Sequence, residues 1–122
     1  MKAFFFDTYA LVEVLYGNEN YRPYLGAEVV TTKLNLMEMH YHLLKEHGEE
    51  TADRYYDMNL RYVVDINDND VKNGMRYKIE QRKKWNISYV DAVGYVIAKR
   101  MAIKFLTGDQ AFEGIPNVEY VK

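Results

Sequence analysis

The chain has 122 residues and a mass of 14.5 kDa, which fits a single domain over residues 1–122. Hydrophobic residues at 48% and charged residues at 28% exclude a disordered tail or a collagen-like repeat. No apolar run approaches the roughly 18 residues of a membrane span, and the absence of cysteine excludes disulfides, thiolate metal sites and a cysteine nucleophile.

The N-terminal run Phe4-Phe5-Phe6 stops at Asp7, far short of a signal-peptide core, so the expected compartment is the cytoplasm. Net charge is −2, but it is unevenly spread. Residues 1–70 carry 6 Lys/Arg against 13 Asp/Glu, and residues 71–104 carry 9 against 2. A basic stretch of this kind suits either a phosphate backbone or two solvated helix faces.

In chain order, Lys2–Phe6 reads as a buried strand. Thr8–Tyr16 is a helix stopped by Gly17-Asn18. Asn20–Leu25 is a short helix interrupted at Pro23. Glu28–Thr31 reads as a second strand, and Lys33–His47 as a helix ended by Gly48. Glu49–Leu60 is a helix with an acidic first turn. Tyr62–Ile66 is expected as a third strand. Asn67–Trp85 is expected as one long helix with Val71, Met75 and Ile79 on its apolar face. Ser88–Ala102 is a helix, Ile103–Leu106 a fourth strand and Val118–Val121 a candidate fifth. Alternating strands and helices predict an α/β domain with a mainly parallel sheet of four to five strands, covered on both faces.

Ligands of open α/β sheets bind beyond the carboxyl ends of the strands. Asp7 directly follows the first strand, and Asp109 follows the fourth in Leu106-Thr107-Gly108-Asp109. Asp91 lies in the first turn of a helix. No Lys or Arg lies within four residues of Asp7 or Asp109. Carboxylates clustered without cations repel one another, and oxygen-only ligands favour Mg²⁺ or Mn²⁺. Each also has a plainer use. Asp7 suits a helix cap, Asp91 completes a Ser-x-x-Asp capping box with Ser88, and Asp109 suits a turn.

His40, His42 and His47 share one helix at spacings that argue against a common metal. Metalloprotease, hydrolase-elbow, P-loop and dinucleotide motifs are absent from the sequence. The pairs Arg61-Tyr62, Arg76-Tyr77 and Lys84-Trp85 suit either base stacking or the rim of a small core.

Together, Phe4-Phe5-Phe6-Asp7-Thr8, Ser88-Tyr89-Val90-Asp91-Ala92 and Leu106-Thr107-Gly108-Asp109-Gln110-Ala111-Phe112 resemble the ordered motifs of the PIN domain. Length and element order match along the whole chain, and the compact size resembles the VapC-type toxin ribonucleases. The resemblance implies a three-layer α/β/α fold and adds Glu38, which helical periodicity neither demands nor forbids at a site. It implies Mg²⁺ or Mn²⁺ held by Asp7, Glu38, Asp91 and Asp109, with hydrolysis of RNA to 5′-phosphate and 3′-hydroxyl ends by a metal-activated water. Thr8, Ser88 and Thr107 would orient the carboxylates, with Glu113 as an outer ligand through water. Lys72, Arg76, Lys78, Arg82, Lys83 and Lys84 would attract the RNA backbone. An antitoxin partner and a homodimer are also implied, with an apolar groove for the antitoxin on helices Leu34–Leu44 and Thr51–Leu60.

Two other readings stand beside it. A PIN fold without catalysis, or with a housekeeping role, would bind RNA only. A flavodoxin-like regulatory domain of receiver type would use Asp65 as phosphoacceptor. That domain needs an acidic pair after the first strand, where Asp7 is followed by Thr8-Tyr9.

Overall fold

The structure is a computed structural model that describes residues 2–122. Its strands are β1 (Ala3–Phe6), β2 (Glu28–Val30), β3 (Lys104–Thr107) and β4 (Val118–Tyr120). Its helices are α1 (Thr8–Leu15), α2 (Lys33–His47), α3 (Glu49–Asn59), α4 (Asp68–Gln81) and α5 (Tyr89–Arg100). Short 3₁₀ turns occupy Glu19–Tyr24, Leu60–Tyr62 and Gln110–Phe112. No helix among the described residues is long and apolar enough to cross a membrane.

All pairings are parallel, in the order β2-β1-β3-β4. Alternation along β1 sends Phe4 and Phe6 to one face and Phe5 to the other. Phe4, Phe6 and Leu106 pack with Leu11 of α1, Leu36, Met39 and Leu43 of α2, and Ala52 of α3. Phe5 and Phe105 pack with Ala92, Val93, Tyr95 and Ile97 of α5. The expected three layers are present, with β1 and β3 as the buried centre of the sheet.

Three expectations need correction. Tyr62–Ile66 is not a strand, because Thr31 and Val63 form a single isolated bridge. Beyond β2 only Thr31 remains to pair, because the chain turns into α2 at the Thr32 cap, so no ladder forms. The apolar face expected on α4 holds only at Met75, which packs against the α5 side of the core: Val71 and Ile79 are exposed, and Asp70 and Gly74 are buried. A Cβ at Gly74 would lie 3.0 Å from Val93 Cγ2, so the glycine permits close approach to α5. Asp70 closes a capping box with Asn67. The helix ends at Gln81 rather than Trp85.

Arg100 grips Asp70 with two hydrogen bonds, Nε to Oδ1 at 2.8 Å and a terminal nitrogen to Oδ2 at 2.9 Å. Burial alone would raise the Asp70 carboxyl, but the Arg100 and Asn67 bonds outweigh it and hold it below the usual carboxylate range. Arg100→Ala leaves that buried carboxylate with only one bond, from the Asn67 N–H. The half-exposed Arg100 site lets water in, so the expected loss is about 1–3 kcal/mol in urea unfolding. An unchanged midpoint would show that the ion pair is energetically neutral.

Candidate active site

The β1–β2 connection leaves to one side of β1, and β3 lies on its other side, so the sheet has its switch point between β1 and β3. Asp7 sits there: its N–H continues the ladder to the Leu106 carbonyl at 3.2 Å. The crevice beyond it is lined by Asp7, Thr8, Tyr9, Glu38, Ser88, Asp91, Gly108, Asp109, Gln110 and Lys122. Four elements from distant parts of the chain thus deliver four acidic side chains to one pocket of about 580 Å³.

Asp7 is buried, and its Oδ1 accepts the Ala10 N–H at 2.8 Å. The capping use is real and occupies one oxygen. Asp109 likewise accepts the Ala111 N–H at 3.0 Å, after its own N–H is held by Thr107 Oγ1 at 3.0 Å. Asp91 differs. Ser88 Oγ accepts the Asp91 N–H at 3.0 Å, but the Asp91 carboxylate makes no reciprocal bond and faces the pocket.

Glu38 is half-buried on α2 and accepts the Thr8 hydroxyl at 2.6 Å. Thr8 Oγ1 accepts Asn35 Nδ2 at 3.2 Å, and the Asn35 carbonyl accepts the Thr32 hydroxyl at 2.6 Å. This buried relay fixes where the Glu38 carboxylate points. Sequence reading missed Asn35, whose one signal is an amide on the apolar face of α2. It also missed Tyr9, Gln110 and Lys122 as lining residues.

The electrostatics follow from this crowding. Burial, then the neighbouring Asp91, pushes the Asp7 carboxyl well above the usual range, against the opposing hydrogen bonds from Thr107 and Ala10. Burial, then Glu38 and Asp109, pushes Asp91 up to about 7. None of the four acids has an ion-pair partner within 4.0 Å among the described residues. An oxygen-only set with uncompensated charge fits a hard divalent cation. Among the described residues, no group of three or more acidic or histidine side chains is yet drawn close enough to hold an ion. The pocket thus offers the right donors in an open arrangement.

The remaining expected residues are more dispersed. Ser88 and Thr107 make the backbone contacts given above, whereas Glu113 is exposed and does not line the pocket. Lys72, Arg76, Arg82, Lys83 and Lys84 are exposed, the last three in the turn after α4. Lys78 is drawn inward, bonding Asn86 Oδ1 at 3.1 Å and the Ile87 carbonyl, with its ammonium over the Tyr89 ring. Asp65 is exposed and lies outside the acidic pocket. His42 and His47, whose spacing argued against a common metal, both direct Nε2 at the hydroxyl of Tyr16, the C-cap residue of α1, which gathers them.

Gly108 is required by close approach. A Cβ there would lie 2.2 Å from Tyr9 Cε1 and 2.5 Å from the Val121 carbonyl oxygen. The tyrosine ring can yield, but the backbone oxygen cannot without moving the chain beyond β4. Gly108→Ala is expected to displace Asp109, costing about 1–3 kcal/mol of stability. Thermal melts check it; a wild-type melting temperature would show that the contact yields freely.

An all-parallel α/β/α domain with carboxylates at its switch point is the class that fold and pocket define. The PIN domain family model matches residues 4–118, and the chain belongs to that family. No curated protein sequence matches it significantly. Among solved structures it is similar to a toxin–antitoxin complex from Klebsiella pneumoniae, with 21% identity, 94% of each chain covered and a TM-score of 0.66. It is also similar to VapBC2 from Rickettsia felis bound to a promoter DNA fragment, with 18% identity, coverage of 98% and 99%, and a TM-score of 0.75. Mycobacterium tuberculosis VapC20, a toxin that cleaves the sarcin-ricin loop, aligns at 18% identity over 95% and 98% of the two chains, with a TM-score of 0.74. At these identities the likeness is one of fold.

Proposed function

We propose that this PIN domain is a Mg²⁺- or Mn²⁺-dependent endoribonuclease and the toxin half of a toxin–antitoxin pair. The observation that carries the reading is the convergence of Asp7, Glu38, Asp91 and Asp109 on one pocket, where Lys122 is the single cationic lining residue and none of the four acids has an ion-pair partner within 4.0 Å among the described residues. These four residues would hold the ion. When bound, such an ion supplies polarisation of the phosphodiester and an activated water. The residues do the rest. Asp7, buried at the switch point, anchors the site to the sheet. Thr8 aims Glu38, and Ser88 fixes the first turn of α5 beneath Asp91. Asp91 and Asp109 are half-buried and line the same pocket, which would receive a strand of RNA. The exposed turn Arg82-Lys83-Lys84 leads directly into α5 and would follow the RNA backbone.

An antitoxin partner is supported by the two similar complexes and by an apolar cleft of about 220 Å³ in this chain. Leu11, Val14 and Leu15 of α1 line it with Tyr55 and Met58 of α3, so of the two helices expected to form the groove only Thr51–Leu60 contributes, and Leu34–Leu44 does not. A homodimer is supported by Met37, Tyr41 and Leu44, which form an exposed apolar stripe at helical spacing on α2.

The test is RNA cleavage by purified protein with Mg²⁺ or Mn²⁺, with and without the product of the neighbouring reading frame. Cleavage that needs the metal, yields 5′-phosphate ends and is suppressed by a copurifying partner supports the proposal. A harmless, inactive chain that still binds RNA leaves the non-catalytic PIN reading. In the binding arm, Arg82→Ala with Lys83→Ala should flatten the slope of log K against log salt by about 1–1.4, the release expected from two lost phosphate contacts on single-stranded RNA.

A further inference from the structure

Tyr16 caps the C-terminal end of α1, and its hydroxyl lies 2.7 Å from His42 Nε2 and 3.0 Å from His47 Nε2. One phenolic proton can serve only one imidazole acceptor, so the two rings must adopt opposite tautomers to bond the same oxygen. Three donor atoms from two helices therefore crowd one point at the surface. Tyr16 is 49% exposed, and His47 is exposed beside it, so an ion from solvent can reach that point.

We propose that Tyr16, His42 and His47 form a site for a late first-row divalent cation such as Zn²⁺, separate from the acidic pocket. Both ring nitrogens lie within 3.0 Å of one oxygen, so small rotations bring them to the about 2.0–2.1 Å of a zinc–imidazole bond. Imidazole nitrogen suits Zn²⁺, Ni²⁺ and Cu²⁺, whereas carboxylates suit Mg²⁺ and Mn²⁺, so the two sites select different metals. Among the described residues no third His, Cys, Asp or Glu joins the pair, so the site is two imidazoles and a phenol completed by water. It is also distant from the pocket: Thr8 and Tyr16 lie at opposite ends of α1, a helix of 8 residues spanning about 12 Å. A bound ion ties α1 to α2 at one end. At the other end, the Thr8–Glu38 bond already ties them.

The experiment is titration of the full chain with Zn²⁺ in saturating Mg²⁺, following the histidine ring nitrogens by NMR. The expected result is a one-to-one shift of Nε2 in both His42 and His47, while His40, bonded to Asp53 at 2.7 Å, keeps its resonance. His42→Gln and His47→Gln should each weaken Zn²⁺ binding about tenfold or more, and Tyr16→Phe by less. No binding at millimolar Zn²⁺ overturns the proposal. So does a shift at only one of the two rings, or binding unaffected by both glutamine variants, which would place the ion on the carboxylates.

Discussion

Asp7→Asn is expected to lower RNA cleavage by about 10³-fold or more, the scale of removing a principal stabiliser of transition-state charge. The metal-free variant should melt no lower than wild type. The reason lies in the two roles that the residue combines. As a cap, Asp7 offers one oxygen to the Ala10 N–H, and the asparagine carbonyl accepts that bond equally well. As a charge, it is buried beside Asp91 and Asp109, which makes its ionised form costly. Substitution therefore keeps the cap and removes the repulsion. Cleavage rates and thermal melts in EDTA check the two halves separately. A clear loss of metal-free stability would mean that capping is the principal role of the residue. Wild-type cleavage would remove Asp7 from the chemistry.

The same duality explains how much of this site was legible in the sequence. Asp7 and Asp109 stand at strand ends, where α/β geometry collects ligands, so position alone marks them. Asp91 was ambiguous, because Ser88-x-x-Asp91 reads as a capping box. Only the structure shows the box half-closed and the carboxylate free to face the pocket. Glu38 was reached only through the family resemblance. Its placement depends on a hydrogen bond from Thr8, 30 residues away in sequence, which helical periodicity cannot express. Asn35 escaped notice because a buried amide on an apolar helix face carries no motif.

The fold misreadings share a cause. Val71 and Ile79 have core spacing, but α4 docks through Asp70, Gly74, Met75 and Tyr77, so tertiary contacts rotate the buried face away from them. Tyr62–Ile66 has strand composition and meets only one bridging partner. The histidines of α2 were judged on their own helix, whereas the group that gathers them belongs to α1.

Metal-free protein is expected to lose stability as pH rises from about 4 to 8, opposite to the usual behaviour of paired carboxylates. Asp91 is pushed up to about 7, and Asp7 shifts in the same direction. A carboxyl raised in the folded state binds more protons there than in the unfolded chain. Its favourable contribution is complete below the unfolded value near 4 and disappears as pH passes the folded value. Asp70 has the opposite sign: its ion pair contributes above the unfolded value and is lost only as pH falls below it, through its lowered folded value. Between pH 5 and 8 the pocket therefore dominates. The Asp91 shift alone corresponds to about 2–4 kcal/mol, a fall on the order of 10 °C in melting temperature for a domain of this size. Mn²⁺ favours the ionised carboxylates, so in its presence the slope should flatten or reverse. Asp91→Asn should lessen the fall in EDTA, leaving the part that Asp7 contributes. Melting curves across this pH range, with EDTA and with Mn²⁺, decide the matter. A metal-free protein whose melting temperature holds level or climbs towards pH 8 would mean that burial and the neighbouring carboxylates together raise Asp7 and Asp91 too little to call for a cation.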